Sequence, residues 1–235
     1  MSVILHIETA SKTCSVAVFG DNEFFYEKIS RKGESHSSFL GIFAQEALNF
    51  LKSEKIRLDA VALSSGPGSY TGLRIGASFA KGLCYGLDIP LIAVPTLKIM
   101  ANSVLEQNLI SGEALLVPML DARRMEVYSA VYDAALNEIR ATEAEIIDEN
   151  SYKDLLDRQK AVFFGDGSDK CSEVIKSPNA IFLDGINPSA RAMASLAADA
   201  FERGDFVSTA YFEPFYLKEF MATKAKNKVI GNAKR

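Results

Sequence analysis

The sequence predicts an α/β protein made of two successive halves, each a mixed β-sheet flanked by helices. Three observations support this fold class. The chain has 235 residues, enough for one large or two small domains. Apolar strand-like and helix-like segments follow one order twice, three strands before alternating helices and strands. A glycine-rich stretch at 64–74 lies where a strand passes into a helix. Similarity between the halves is poor, so the repeat is one of element order, and the halves are expected to face a cleft.

The first half is predicted to contain five strands and two helices. The strands are expected at 3–8, 14–19, 23–29, 60–64 and 91–94, and the helices at 36–52 and 71–87. Gly20-Asp21-Asn22 is typical of a hairpin turn. Ser35 is a candidate N-cap for the first helix.

The second half is predicted to repeat this order with shorter helices. Strands are expected at 115–120, 126–132, 138–147 and 161–164, and helices near 152–157, 169–176 and 188–203. The segment 211–221 is expected to cross back to the first half. The predicted domains are therefore 1–100, joined by 211–230, and 101–210.

Composition indicates an ordinary globular protein, expected in the cytoplasm. The chain is 48% hydrophobic with a net charge of −4, which argues against nucleic-acid binding by the whole surface. The three cysteines lie far apart, so neither a disulfide framework nor a zinc site is predicted. Residues 3–7 are too short for a signal sequence, no apolar run reaches the length of a membrane span, and no membrane partner is expected.

The glycine-rich stretch has two possible roles. Gly66 and Gly68 allow close approach of the backbone, and with Ser69 they precede a helix whose first amides favour an anion. The spacing fits neither a Walker loop nor the dinucleotide-binding pattern. A structural turn and an anion site both remain open.

Three further residues are candidates for cofactor binding. Glu8 ends the first strand, where it could hold a hydrated Mg²⁺ or simply cap a turn. Gly165 and Asp166 end a strand of the second half, where they could bound a nucleotide pocket or form a tight turn. The only histidines, His6 and His36, are 30 residues apart, which disfavours a histidine metal site or triad.

The helix at 71–87 is a candidate partner interface because it carries only two charged residues, Arg74 and Lys81. A helix that is apolar all round is buried on every side or covered by another chain. Glycines one turn apart would also let another helix approach closely. The predicted interface residues are His36, Phe39, Ile42, Phe43, Gly72, Ile75, Gly76, Phe79, Ala80 and Leu83. A charge at Ala77 or Ala80 is expected to abolish partner binding while leaving the chain folded.

Two charged segments have open interpretations. The stretch 121–128, Asp-Ala-Arg-Arg-Met-Glu-Val-Tyr, is either a solvated hairpin or a set of donors and acceptors at the cleft mouth. The end of the chain, 218–235, is rich in lysine and is either a frayed terminus or a weak contact to RNA phosphates.

Several of these motifs together resemble the TsaB (YeaZ) family. They are Ile7-Glu-Thr-Ala10, Cys14-Ser-Val-Ala-Val18, the glycine-rich stretch 66–76, the charged stretch 121–128 and Glu213-Pro-Phe-Tyr-Leu217. The resemblance implies an actin-like, sugar-kinase-like (ASKHA) fold of two ribonuclease-H-like halves. It also implies a non-catalytic scaffold that helps to form N6-threonylcarbamoyladenosine in tRNAs reading codons that start with A.

The same resemblance implies partners and cofactors. The partners would be a TsaD-like transferase, a TsaE-like ATPase and a second copy of the chain, with tRNA contacted indirectly. No cofactor is expected for the chain alone, and ATP or ADP with Mg²⁺ would bind in the complex.

The sequence departs from its relatives at three positions. Thr96 and Met100 stand where the related transferase has the metal ligands of a His-x-x-x-His motif, and neither suits a hard or borderline cation. Glu8 stands where most of the family has Asp. Two enzyme alternatives remain open, an ATP-binding enzyme of the same superfamily and a metallopeptidase.

Overall fold

A computed structural model describes residues 2–20, 23–30, 36–110 and 113–218, with the backbone only for His36. The predicted N-cap Ser35, the turn residues Asp21 and Asn22, and the lysine-rich stretch from residue 219 lie outside the described residues.

Ten described strands form two five-stranded sheets. The first sheet contains β1 (Ile4–Glu8), β2 (Cys14–Gly20), β3 (Glu23–Ser30), β4 (Ala60–Ser64) and β5 (Leu91–Val94). The second contains β6 (Leu115–Asp121), β7 (Glu126–Tyr132), β8 (Glu138–Ile146), β9 (Ala161–Phe164) and β10 (Ala180–Leu183). The strand orders are β3-β2-β1-β4-β5 and β8-β7-β6-β9-β10. In each sheet the first strand pairs antiparallel with the second and parallel with the fourth. The duplication predicted from element order is therefore confirmed.

The described helices follow the same repeat. They are α1 (His36–Glu54), α2 (Tyr70–Leu87), α3 (Thr96–Glu106), α4 (Lys153–Leu156), α5 (Ser168–Cys171) and α6 (Ala194–Arg203), the last preceded by a 3₁₀ turn at Arg191–Met193. Leu5 and Ile7 of β1 pack with α1 and α2 in one core cluster. Strand alternation places Ile4 of β1 on the opposite face, against α6.

Helices α3 and α6 each pack against the sheet of the half that they do not follow in the chain. Leu97 and Met100 of α3 pack against Leu116 of β6 in the second half, although α3 follows β5 of the first. Conversely, Met193 and Ala197 pack against the first sheet. The predicted boundary at residue 100 thus falls inside α3, and each half is completed by a helix that follows the other half's sheet.

Two elements were not predicted, and two predicted helices are too long. The helix expected at 188–203 begins only at the 3₁₀ turn Arg191–Met193 and continues as α6 from Ala194. Helix α3 and strand β10 had not been predicted, and α5 ends at Cys171 although a helix was expected to residue 176. Hydrogen bonds such as Ile175 N–H to Cys171 O continue the chain there as turns. Across the described residues, none of the helices is both long and apolar enough to span a membrane.

Candidate functional site

The glycine-rich turn between β4 and α2 uses its backbone amides within the chain. Gly66 N–H donates to Thr96 Oγ1 at 3.1 Å, and Ser69 N–H donates to the carbonyl of Ala10 at 2.6 Å. At the helix start, Gly72 N–H donates to Ser69 Oγ at 3.2 Å, so Ser69 is the N-cap of α2. The amides predicted as an anion cradle at Gly66 and Ser69 therefore already have acceptors.

The same turn needs glycine because other backbone segments touch it. A Cβ at Gly68 would overlap the carbonyl oxygen of Ala10. Gly66 has φ +107°, and a Cβ there would lie 2.6 Å from the carbonyl oxygen of Phe215. The turn thus joins the end of β1, the start of α2 and the C-terminal segment, which supports its structural interpretation.

Glu8 is fully buried and does not line an open cleft. One carboxylate oxygen, Oε1, accepts hydrogen bonds from Ala10 N–H at 2.6 Å and from the Ser64 hydroxyl at 3.0 Å. The other oxygen, Oε2, has no hydrogen-bond partner among the described residues. Burial raises the pKa of Glu8 to about 7, while these hydrogen bonds act in the opposite direction. Glu8 therefore caps the turn after β1 in this structure.

The matching turn in the second half also makes its close contacts and hydrogen bonds within the chain. A Cβ at Gly165 would overlap the carbonyl oxygen of Met119, and Asp166 Oδ1 accepts from Asp121 N–H at 3.0 Å. Asp121 in turn pairs with Lys170. Arg123 and Arg124 adopt φ angles of 74° and 52° at the exposed tip of the β6–β7 hairpin. The predicted hairpin within 121–128 is therefore confirmed, while a role of its arginines as donors to a ligand stays a prediction.

Thr96 and Met100 perform structural tasks at the positions where the related transferase has metal ligands. Thr96 is buried and accepts the hydrogen bond of Gly66 N–H. Met100 is buried in the core that α3 forms with the second sheet. Within the described ranges, no three His, Cys, Asp or Glu side chains are grouped so that they could hold a metal ion.

The exposed surface of α1 and α2 is the most distinctive feature of the first half. A groove of about 530 Å³ runs between the two helices. Its lining residues are Ser37, Leu40, Gly41, Arg74, Ile75, Ser78 and Phe79. Only Arg74 among them is charged. Ile42 lies beside Gly41 on α1 with 55% of its surface exposed. We call this surface, the groove together with Ile42, the α1/α2 face.

The structure divides the predicted interface residues into three groups. Ile42, Ile75 and Phe79 belong to the α1/α2 face. Phe39, Phe43 and Leu83 are half-buried and pack against the core of the first half. Gly72, Gly76 and Ala80 are buried within the chain, so they cannot contact a partner directly. For His36, the side chain lies outside the described residues.

The prediction that a charge at Ala77 or Ala80 would spare the fold is wrong. Both side chains are buried in the core formed with β1 and β4, where an unpaired charge is strongly destabilising. The prediction that the glycines of α2 let another helix approach closely was also wrong in part. Gly76 faces Thr9 of the same chain, whereas Gly82 and Gly86 have open space beyond them.

Sequence reasoning missed five residues of the face, namely Ser37, Leu40, Gly41, Arg74 and Ser78. A usable signal was present, because Gly41 lies in the middle of a helix, where glycine costs about 1 kcal/mol relative to alanine. Among the described residues, no atom lies within 4 Å of a Cβ placed at Gly41. Packing within this part of the chain therefore does not account for a small residue there.

Several known proteins similar to this chain are named for threonylcarbamoyladenosine biosynthesis. The family model described as "TsaD: tRNA N6-adenosine threonylcarbamoyltransferase" matches residues 29–203. A protein of Escherichia coli K12 named "tRNA threonylcarbamoyladenosine biosynthesis protein TsaB" is 31% identical over 229 residues, covering 94% of this chain and 96% of that protein. The Bacillus subtilis protein of the same name is 34% identical over 129 residues, covering 55% of this chain and 54% of its own length.

A solved structure supports the fold. The crystal structure of a Pseudomonas aeruginosa protein "with similarity to peptidase YEAZ" superposes with a TM-score of 0.80 at 24% sequence identity. It covers 93% of this chain and the whole of that one.

Proposed function

The chain belongs to the TsaB (YeaZ) family with its actin-like fold of two ribonuclease-H-like halves, and on that premise we propose that it is a scaffold and activator of tRNA modification. It would take part in threonylcarbamoyladenosine biosynthesis as a non-catalytic subunit. The α1/α2 face would bind a TsaD-like transferase, the protein that carries the chemistry.

The observation that carries this proposal is the α1/α2 face. Ile42 is exposed, Ile75 and Phe79 line the groove, and Gly41 leaves open space on its surface. Apolar surface of this kind is stabilised when another protein covers it. Small residues let a second helix approach closely, while Arg74 is the only charge in the groove lining.

Substitution of Ile42 tests the docking face. We expect Ile42→Glu to weaken binding to the transferase of the same organism by at least about 100-fold, because the carboxylate would be buried against apolar surface. Isothermal titration calorimetry measures the affinity. Since Ile42 is more than half exposed, the thermal unfolding temperature should change little.

Ile139→Glu is the matched control. Ile139 lies on β8 of the second half and is 53% exposed, nearly the same fraction as Ile42. It should bind like the unchanged chain. Equal affinities for the Ile42→Glu variant and this control would contradict the proposed docking face.

For the chain alone we propose no bound cofactor, with ATP or ADP and Mg²⁺ binding only in the complex. The amides of Gly66 and Ser69 already have acceptors, and Glu8 is buried beneath the turn. Calorimetry of the isolated chain with Mg-ATP should therefore show no tight binding. Tight binding would favour the ATP-dependent enzyme instead.

Two further partners belong to this proposal. A second copy of the chain would compete with the transferase for the α1/α2 face, and a TsaE-like ATPase would join the assembled pair. Sedimentation velocity should show homodimers disappearing as the transferase is added. Homodimers that persist alongside the complex would place self-association on another surface.

A further inference from the structure

A second cavity adjoins the α1/α2 face. It has a volume of about 390 Å³ and lies between α2 and the C-terminal segment. It is lined by Tyr70, Arg74, Ala77, Ser78, Lys81, Phe212, Glu213, Pro214 and Tyr216. Arg74 and Ser78 also line the groove, so a helix bound in the groove would lie at the mouth of this cavity.

Backbone contacts hold the outer wall of the cavity in place. Phe215 N–H donates to the carbonyl of Ser65 at 2.7 Å. The Lys81 ammonium donates to the carbonyls of Ala210 at 3.2 Å and Phe212 at 3.1 Å. The cavity therefore lies between two segments that hydrogen bonds hold together. The Lys81 ammonium is bound to carbonyls of the outer segment.

Arg74 has donors to spare at the mouth of the cavity. Its Nη1 donates to the Tyr70 hydroxyl at 3.1 Å, and its guanidinium lies 5.3 Å from the centre of the Tyr70 ring. A guanidinium has five N–H donors. No carboxylate of residues 2–20, 23–30, 36–110 or 113–218 forms an ion pair with Arg74. Arginine in this state is suited to bidentate binding of a carboxylate.

The charge of the lining favours a monoanion. Arg74 and Lys81 contribute two positive charges and Glu213 one negative charge, so one positive charge is left over. A single carboxylate neutralises that excess, whereas a phosphate dianion would reverse it. The rings of Tyr70 and Tyr216, with centroids 4.9 Å apart, form an aromatic wall beside the Arg74 guanidinium.

We propose that the partner seated on the α1/α2 face inserts an Asp or Glu side chain into this cavity, where Arg74 binds it. This inference rests on the docking face proposed above. It also explains partner choice, since the seven residues lining the groove include no acid. A second copy docked groove to groove offers Arg74 no carboxylate from that set, so Arg74 favours a transferase that carries one.

Arg74→Gln tests the proposal. The exposed Arg74 side chain can be replaced without disturbing the core, and we expect affinity for the transferase to fall 10- to 100-fold. The salt dependence of binding should also become weaker, because one ion pair is lost. The matched control is Arg158→Gln, another exposed arginine in the second half, which should leave affinity and salt dependence unchanged. Calorimetry at two salt concentrations gives both quantities.

A cross-linking experiment identifies the acid directly. In the complex of the Arg74→Lys variant, a zero-length carbodiimide reagent should join the amine introduced at position 74 to one Asp or Glu of the transferase. Mass spectrometry of the joined peptide names that residue. Replacing it by Asn or Gln should weaken binding of the unchanged chain but not of the Arg74→Gln variant.

Different outcomes separate this inference from the proposed function. If Ile42→Glu abolishes binding while Arg74→Gln binds like the unchanged chain, the acid-binding role is overturned and the docking face stands. If Ile42→Glu binds normally, both fail. Inorganic phosphate that binds the free chain and is lost in Arg74→Gln would make the cavity a phosphate site, which overturns the carboxylate assignment.

Discussion

At the scale of single residues, two buried ionisable side chains next to each other on β1 have opposite effects on stability. Burial raises the pKa of Glu8 from 4.5 to about 7 and lowers the pKa of His6 from 6.5 to about 4. For Glu8 the native state binds more protons than the unfolded chain, so the free energy of unfolding falls as pH rises from 4.5 to 7. For His6 the native state binds fewer, so the free energy of unfolding rises with pH from 4 to 6.5. The two contributions oppose each other between pH 4.5 and 6.5.

Glu8→Gln isolates the contribution of Glu8 to this pH dependence. Relative to the unchanged chain, the free energy of unfolding of the variant should improve by about 3 kcal/mol as pH rises from 4.5 to 7, because the charge no longer has to be buried. Urea unfolding at a series of pH values measures the difference. A difference that is constant with pH would show that Glu8 is not protonated in the native state.

Gly68 is needed for packing and should not tolerate a methyl group. Gly68→Ala places Cβ against the carbonyl oxygen of Ala10, which also accepts the hydrogen bond of Ser69 N–H. We expect a loss of roughly 1–3 kcal/mol in the free energy of unfolding, as in overpacked cores. Chemical denaturation of the isolated chain measures it. Unchanged stability would mean that the turn can relax and that its glycines serve another purpose.

Among the helices and strands, those with a clear pattern of apolar and polar residues were predicted best from the sequence. Strands β4, β5, β7 and β9 match the predicted bounds, since each is an apolar run between turn residues. Helix α3 was missed because three polar residues, Thr96, Asn102 and Ser103, are among its eight buried residues and obscure its apolar stripe, and because it lacks a side-chain N-cap bond. Which glycines of α2 face outward could not be predicted either, since that depends on Thr9 filling the space beside Gly76.

Replacing Gly41 on α1 by alanine should raise the stability of the chain and weaken its binding to the transferase. Gly41→Ala should raise the free energy of unfolding by about 0.5–1 kcal/mol, because alanine restricts the unfolded chain and no described atom lies within 4 Å of the added Cβ. The added methyl narrows the groove, so affinity for the transferase should fall.

Asp199→Ala, at an exposed helical position on α6 outside the α1/α2 face, provides the comparison. It should leave affinity unchanged. If Gly41→Ala stabilises the chain and binds as tightly as before, the groove is not where the partner packs.

For the molecule as a whole, the exchanged helices couple the two halves. Asn102 of α3 donates from Nδ2 to the carbonyl of Ala192 at 2.9 Å and to the Ser195 hydroxyl at 2.9 Å. Just before α6, Ala190 N–H donates to Ser15 Oγ of β2 at 2.9 Å, which ties this segment to the first sheet. The order of elements predicted the duplication, but the local sequence does not indicate which sheet a connecting helix packs against.

Asn102→Ala should destabilise both halves together. We expect a loss of about 1–3 kcal/mol in the free energy of unfolding, because the buried carbonyl of Ala192 loses its donor. Calorimetric scans should still show one transition, shifted to lower temperature. Two separate transitions would show that the halves fold independently despite the exchange.

The most direct test of the central claim is a reconstituted tRNA modification assay with the TsaD-like transferase and its other partners. We expect threonylcarbamoyladenosine to form when this chain is added. It should not form above background when the chain is omitted or replaced by its Ile42→Glu variant, while Ile139→Glu supports full activity. Equal modification without the chain, or with the Ile42→Glu variant, would contradict the claim that the chain activates the transferase through its α1/α2 face.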